Sequence, residues 1–286
     1  MAHPANVTAS SYVFVHGSAG AGAQWGPIAA LLRPGENCLC PDLVGYGSGP
    51  AFVRDGYRFE DEIAIVEQAL QAAACPSVLV GHSFGGVVAL ATALAHPDLV
   101  THLVLIEPVA FALLDGELHG ASRQRLFAFC DHIDGLVQLG RHADAAQAFF
   151  EFWELGELWD ALGDKRRKGI ELAMRKVAAE CALVHAPAFT SSDIARRLTT
   201  PTLVLRGSAS PRLAREVCAV LADASPCCTL ADLPGANHMS PFLRPQQVLA
   251  AIRGFCAREA DPSRAGRLAP DPATASPGGA SAALAI

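Results

Sequence analysis

Ser77-Val78-Leu79-Val80-Gly81-His82-Ser83-Phe84-Gly85-Gly86-Val87-Val88-Ala89-Leu90 is the stretch on which the reading of this chain turns. Val78 to Val80 is a short apolar run of the kind that forms a buried strand. Gly81-His82-Ser83-Phe84-Gly85 follows as a Gly-x-Ser-x-Gly turn, and the small apolar residues after it read as a helix. In that order the pattern places Ser83 at the apex of a strained strand-to-helix turn. Gly81 and Gly85 permit a backbone approach that a β-carbon would block. The Ser83 hydroxyl then points away from the sheet, beside a helix N-terminus that favours developing negative charge. Without the flanking strand and helix, the same five residues are common by chance and would read more readily as a Gly-rich phosphate or packing turn.

Working outward, strand and helix signals alternate on both sides. Tyr12 to Val15 is a strand that runs into His16-Gly17-Ser18-Ala19-Gly20, and a helix is expected around Trp25 to Leu32. Cys38 to Cys40 is the next strand, and Phe59 to Ala73 the next helix, with Ile63, Val66 and Leu70 on one side. After the Ser83 unit come strands at Val100 to Ile106, Thr202 to Gly207 and Cys228 to Leu233, with helices at Leu213 to Leu221 and Pro245 to Cys256. This alternation predicts an α/β fold with a mostly parallel sheet of about six strands covered by helices on both faces. Residues 111–195 break the alternation. They are helical in pattern and aromatic, with Phe149, Phe150, Phe152, Trp153 and Trp159 close together. They are expected to form a helical cap inserted in a core made of residues 1–110 and 196–258. Residues 259–286 are rich in Pro, Ala and Gly, too poor in large apolar groups to offset ordering entropy, and are expected to be a disordered tail.

Composition narrows the partners. The 28 acidic and 22 basic residues give a formal charge of −6, with no basic run of the kind a nucleic-acid partner requires. No run approaches the ~18 consecutive apolar residues of a membrane span. The first residues lack the charged and apolar regions of a secretory signal. The nine cysteines are an odd number, spread through expected strands and helices, and read as reduced core thiols of a cytoplasmic protein. Cys38 and Cys40 share one face of a strand rather than forming a zinc or redox knuckle. The ten histidines are dispersed, so neither a metal site nor a cofactor is expected.

A serine hydroxyl needs an adjacent base to act as a nucleophile. His238 follows the last strand in Pro234-Gly235-Ala236-Asn237-His238-Met239, a turn that returns the chain over the carboxyl edge of the sheet. His16, His82 and His96 have structural explanations, in the first loop, inside the serine turn and at a helix end before a proline.

These residues resemble the α/β-hydrolase family. His16-Gly17, the Asp42-Leu43-x-Gly-x-Gly47 loop, the Ser83 turn and the late Gly-x-x-His238 turn match it in order and spacing over about residues 10 to 258. The resemblance implies a Ser/His/acid triad and an oxyanion hole made by the backbone N–H groups of Ser18 and Phe84. Two features depart from the family's usual form. Few residues precede the first strand, so the two strands that normally open the fold are not expected. Past Leu205-Arg206-Gly207, where the triad acid usually stands, the chain has Ser208-Ala209-Ser210-Pro211. Because losing the acid costs on the order of 10⁴ in rate, an active enzyme is expected to have placed one elsewhere. Glu107 is the favoured residue, because it ends the strand beside the nucleophile's strand, a position that resembles the acid of some haloalkane dehalogenases in this family. Glu107 could instead bind cap backbone amides. Asp42, Asp193, Asp223 and Asp232 are weaker alternatives by position.

The leading reading is a serine hydrolase acting on a small, fairly apolar carboxylic ester, thioester or lactone, with a small molecule as its partner. A serine at position 83 argues against dehalogenase and epoxide hydrolase chemistry, which in this family uses a carboxylate nucleophile. A carbon–carbon bond hydrolase, a lyase or a perhydrolase would keep the same triad. A non-catalytic ligand-binding relative is the reading from a different class, motivated by the missing acid at Ser208 to Ser210.

Overall fold

The structure, a computed structural model, describes residues 11–73, 76–114, 119–184 and 189–260. The expected tail lies almost wholly outside these residues.

Elements run in chain order as β1 (Ser11–Val15), α1 (Gly26–Ala29), β2 (Asn37–Leu39), α2 (Phe59–Ala72), β3 (Ser77–His82), α3 (Phe84–Ala95) and β4 (Val100–Ile106). Then follow α4 (Gly120–Gln138), α5 (His142–Phe152), α6 (Gly156–Ala161), α7 (Asp164–Cys181) and α8 (Ser191–Arg197). The chain closes with β5 (Thr202–Gly207), α9 (Arg212–Asp223), β6 (Cys228–Leu233), α10 (Ser240–Leu243) and α11 (Pro245–Ala260). The described residues form one six-stranded sheet, ordered β2-β1-β3-β4-β5-β6, in which every neighbouring pair is parallel.

β1 and β3 are buried along their whole length, as expected of strands covered on both faces. Alternate side chains feed two cores. Val13, Val15, Leu79, Leu103 and Leu105 pack with α2, α3 and α9. Tyr12, Phe14, Val80, Val104 and Ile106 pack with Trp25 and Ile28 at α1 and with Val248, Ile252 and Phe255 of α11. The helix expected over Trp25 to Leu32 is shorter than its pattern. A 3₁₀ turn at Gly22–Trp25 leads into four α-helical residues with Pro27 at the start.

The helices between β4 and β5 have a small core of their own. Ile133, Leu136 and Val137 of α4 meet Ala145 and Ala146 of α5 and Met174, Val177 and Ala178 of α7. Among the described residues no helix is long and apolar enough to cross a membrane.

The strand order places the reversal of direction between β1 and β3. Crevices at the carboxyl ends of strands beside such a reversal are where open α/β sheets hold ligands. The loops that leave β1 and β3 carry Ser18 and Ser83.

Candidate active site

Ser83 stands alone between the last residue of β3 and the first of α3, with φ 55° and ψ −122°. Left-handed backbone at a residue with a β-carbon is strained by an amount on the order of 1–3 kcal/mol and persists only where its surroundings enforce it. Here the Ser83 N–H donates to Ile106 O at 3.0 Å, while Ser83 O accepts from Gly86 N at 3.0 Å and Val109 N at 3.2 Å. The flanking glycines are a steric requirement. A β-carbon on Gly81 would lie 2.3 Å from Gly85 O, and one on Gly85 would lie 2.3 Å from His16 O. Phe84 begins α3, so its N–H has no acceptor within the helix and points into the space before it.

The loop after β1 lies against this turn. A β-carbon on Gly17 would come within 2.9 Å of Ser83 Cβ, so the chain can pass Ser83 closely only at a glycine. His16 is fully buried and braces the loop: its Nε2 accepts from Leu43 N at 3.0 Å, and its Nδ1 is 2.8 Å from Gly17 O. With Nε2 accepting, Nδ1 carries the proton that Gly17 O receives. Burial pushes the His16 pKa down, which suits this neutral role.

His238 and Glu107 meet in the interior. Glu107 N–H extends the ladder by donating to Leu205 O at 2.9 Å, which carries its side chain from the end of β4 toward the end of β5. Its Oε2 lies 2.8 Å from His238 Nδ1, both residues being buried. Its Oε1 accepts from Gly207 N at 2.6 Å and from Ser210 Oγ at 2.5 Å. Burial alone would push the Glu107 carboxyl up. The hydrogen bonds from His238, Ser210 and Gly207 outweigh it and hold the group below the ordinary carboxylate value. A carboxylate on Nδ1 fixes the imidazole in the tautomer that leaves Nε2 free to take a proton. His238 and Ser83 face the same open groove.

Two neighbours orient the imidazole further. Trp153, at the end of α5, stacks face to face on it, with centroids 4.0 Å apart and planes 7° from parallel. His82 Nε2 donates to His238 O at 2.8 Å. Burial and the proximity of His238 push His82 down to about 3, so it is neutral and serves as a brace.

The other carboxylates are engaged elsewhere. Asp42 Oδ1 accepts from Gly22 N at 2.7 Å, and its Oδ2 accepts from Ser48 N at 2.7 Å. Asp232 pairs with Arg206 at 2.7 Å. Asp193 accepts from Thr190 N at 2.9 Å at the start of α8, and Asp223 is the last residue of α9.

Ser83 sits where two spaces join. On one side is an apolar pocket of about 730 Å³ of empty space, its mouth included, lined by Phe84, Val87, Phe129, Phe149 and Phe189 among others. Its polar lining is Ser18, Ser83 and Glu180. On the other side is the open groove that holds His238, walled by α5 to α7. Sequence reasoning did not find Ser210, Trp153 or Glu180. Ser210 stood in plain view at the place of the absent acid, but there it signalled only an absence.

The alpha/beta hydrolase family profile matches residues 12–252. A human (lyso)-N-acylphosphatidylethanolamine lipase is 37% identical over 105 residues, which are 35% of this chain and 31% of that protein's length. A putative non-heme bromoperoxidase, BpoC, from Mycobacterium tuberculosis is 28% identical over 268 residues, covering 90% of this chain and 97% of the relative. The crystal structure of an alpha/beta hydrolase from Sphaerobacter thermophilus superposes with a TM-score of 0.65 at 22% identity, over 87% of this chain and 94% of that one. With the six parallel strands, the profile match across the core and insertion places this chain in the alpha/beta hydrolase family.

Proposed function

We propose that this protein is a serine hydrolase of small, fairly apolar carboxylic esters, thioesters or lactones, working through an acyl-enzyme on Ser83. The observation that carries this reading is the His238 imidazole, held at Nδ1 by Glu107 and facing the groove that contains Ser83.

In the first half-reaction His238 Nε2 takes the Ser83 proton as Oγ adds to the substrate carbonyl. The negative charge that moves to the carbonyl oxygen is received by the N–H groups of Phe84 and Ser18, donors of a kind typically worth about 3 kcal/mol of barrier each. His238 then gives its proton to the departing alkoxide or thiolate. In the second half-reaction His238 deprotonates a water that attacks the acyl-enzyme and releases the acid. Glu107 stays ionised throughout and stabilises the imidazolium. The apolar pocket suits the acyl group, and the open groove suits the leaving group, which with an ester or thioester must exit while the acyl group stays bound. The lipase name of the human relative is compatible with an apolar acyl group.

The full-length likeness to a protein named as a bromoperoxidase favours a second reading, perhydrolysis, in which hydrogen peroxide replaces water in the second step and a peracid leaves. Fluorophosphonate labelling tests the common mechanism. Wild type is expected to be labelled and to turn over p-nitrophenyl esters, and Ser83→Ala to do neither. Folded wild type that resists the probe would overturn both readings and leave a ligand-binding relative.

A further inference from the structure

We propose that a buried charge cluster carried by α7 positions the oxyanion hole, with Glu180 as the positioning residue for Ser18. The inference rests on the proposed function, in which the N–H groups of Ser18 and Phe84 receive the oxyanion.

The cluster consists of Glu62, Lys176 and Glu180, with exposures of 0%, 2% and 6%. Lys176 Nζ lies 2.8 Å from Glu62 Oε1 and 2.8 Å from Glu180 Oε1, and donates to Tyr57 Oη at 3.1 Å. Glu180 Oε1 also accepts from the Tyr46 hydroxyl at 2.8 Å, while its Oε2 accepts from Ser18 Oγ at 2.5 Å. Glu62 Oε2 accepts from Val44 N at 3.0 Å. Burying three charges carries a large desolvation cost, and replacing such groups with apolar residues is often neutral or stabilising. Packing alone therefore gives little reason for them.

Their contacts supply another reason. Within one turn of α7, Glu180 holds the side chain of Ser18, and the Lys176 ammonium sits 4.8 Å from the centre of the Phe84 ring. Both residues assigned to the oxyanion hole are thus held by one ion pair that lies outside the sheet and its covering helices. The Ser18 loop has need of such a hold. Ala19 next to it is left-handed, at φ 55°. A donor displaced by about 1 Å can lose on the order of 10² in rate. The inserted helices therefore set where one amide of the hole points.

A double-mutant cycle with p-nitrophenyl butyrate tests this. Ser18→Ala keeps the backbone N–H and removes only the tether. Glu180→Ala removes the acceptor of the Ser18 hydroxyl and leaves Lys176 paired with Glu62, so no buried charge is orphaned. Each is expected to lower kcat about 10- to 100-fold with KM within about twofold, and to weaken a boronic acid transition-state analogue in proportion. The double variant is expected to lose no more than the worse single one. Losses that multiply, a raised KM with kcat kept, or near-wild-type kcat in Glu180→Ala would each overturn the proposal. Those outcomes leave the serine hydrolase reading intact if wild type is labelled at Ser83. A folded wild type that is neither labelled nor active overturns that reading and this inference together.

Discussion

Replacing Glu107 by glutamine changes one oxygen into an NH₂ group, and the groups that bond its two oxygens, Gly207 N and Ser210 Oγ on one and His238 Nδ1 on the other, determine the effect. One side of the carboxylate faces Gly207 N, 2.6 Å away, a donor that cannot become anything else. The other faces His238 Nδ1 at 2.8 Å, which can donate or accept. Turning the amide NH₂ toward Gly207 would set two donors against each other in the interior, at about 1–3 kcal/mol for the unsatisfied group. The lower-energy arrangement keeps the amide oxygen on Gly207 and turns the NH₂ toward His238. Nδ1 must then accept, which moves the imidazole proton to Nε2, the atom that should take the proton of Ser83. A wrong-tautomer histidine costs on the order of 10⁴ in kcat, or about 5.5 kcal/mol of barrier at 1.36 kcal/mol per decade. The expected result is a fall of that size in p-nitrophenyl ester turnover and in the rate of fluorophosphonate inactivation, with the circular dichroism spectrum of a folded protein. Turnover within tenfold of wild type in a folded Glu107→Gln variant would refute the reasoning, because another group would then be orienting and stabilising His238.

Two further outcomes are expected. The Glu107 carboxyl is held below its ordinary value, so its contribution to stability is present above the unfolded-state pKa of about 4.3 and is lost as pH falls through the folded one. The difference in melting temperature between wild type and Glu107→Gln should therefore shrink as pH is lowered from 6 to 3, and a constant difference would rule out the depressed pKa. Trp153→Leu removes the face stacked on His238 at 4.0 Å and should lower kcat about 2- to 10-fold, in line with roughly 0.5–1.5 kcal/mol for a ring stack. An unchanged kcat would reduce Trp153 to packing.

What could be read from the sequence was local. The alternating strands and helices and the elbow at Ser83 rest on residues whose meaning comes from immediate neighbours, and the family profile and sheet order agree with that fold. Glu62 shows where local reading stops. It lies on the buried stripe of α2 with Phe59, Val66 and Leu70, a place where the pattern favours an apolar side chain. Its partner Lys176 is 114 positions further on and cannot be paired with it by spacing. Ser210 and Trp153 were hidden for the same reason, since their partners Glu107 and His238 lie 103 and 85 positions away. Periodicity marks a face as buried, but it does not say which distant polar group makes a charge tolerable there.

The carboxylate beneath His238 has a consequence for how such chains are compared. β4 and β5 end side by side, and Ser210 stands next to the Glu107 oxygen it binds. The fold thus offers two berths for one negative charge, a few ångströms apart in space though about a hundred residues apart along the chain. A chain with its acid at either berth would carry a carboxylate near the same imidazole. Position-by-position alignment would score the berth without the charge as a missing acid. A comparison of what surrounds the imidazole would score the two forms as the same machine.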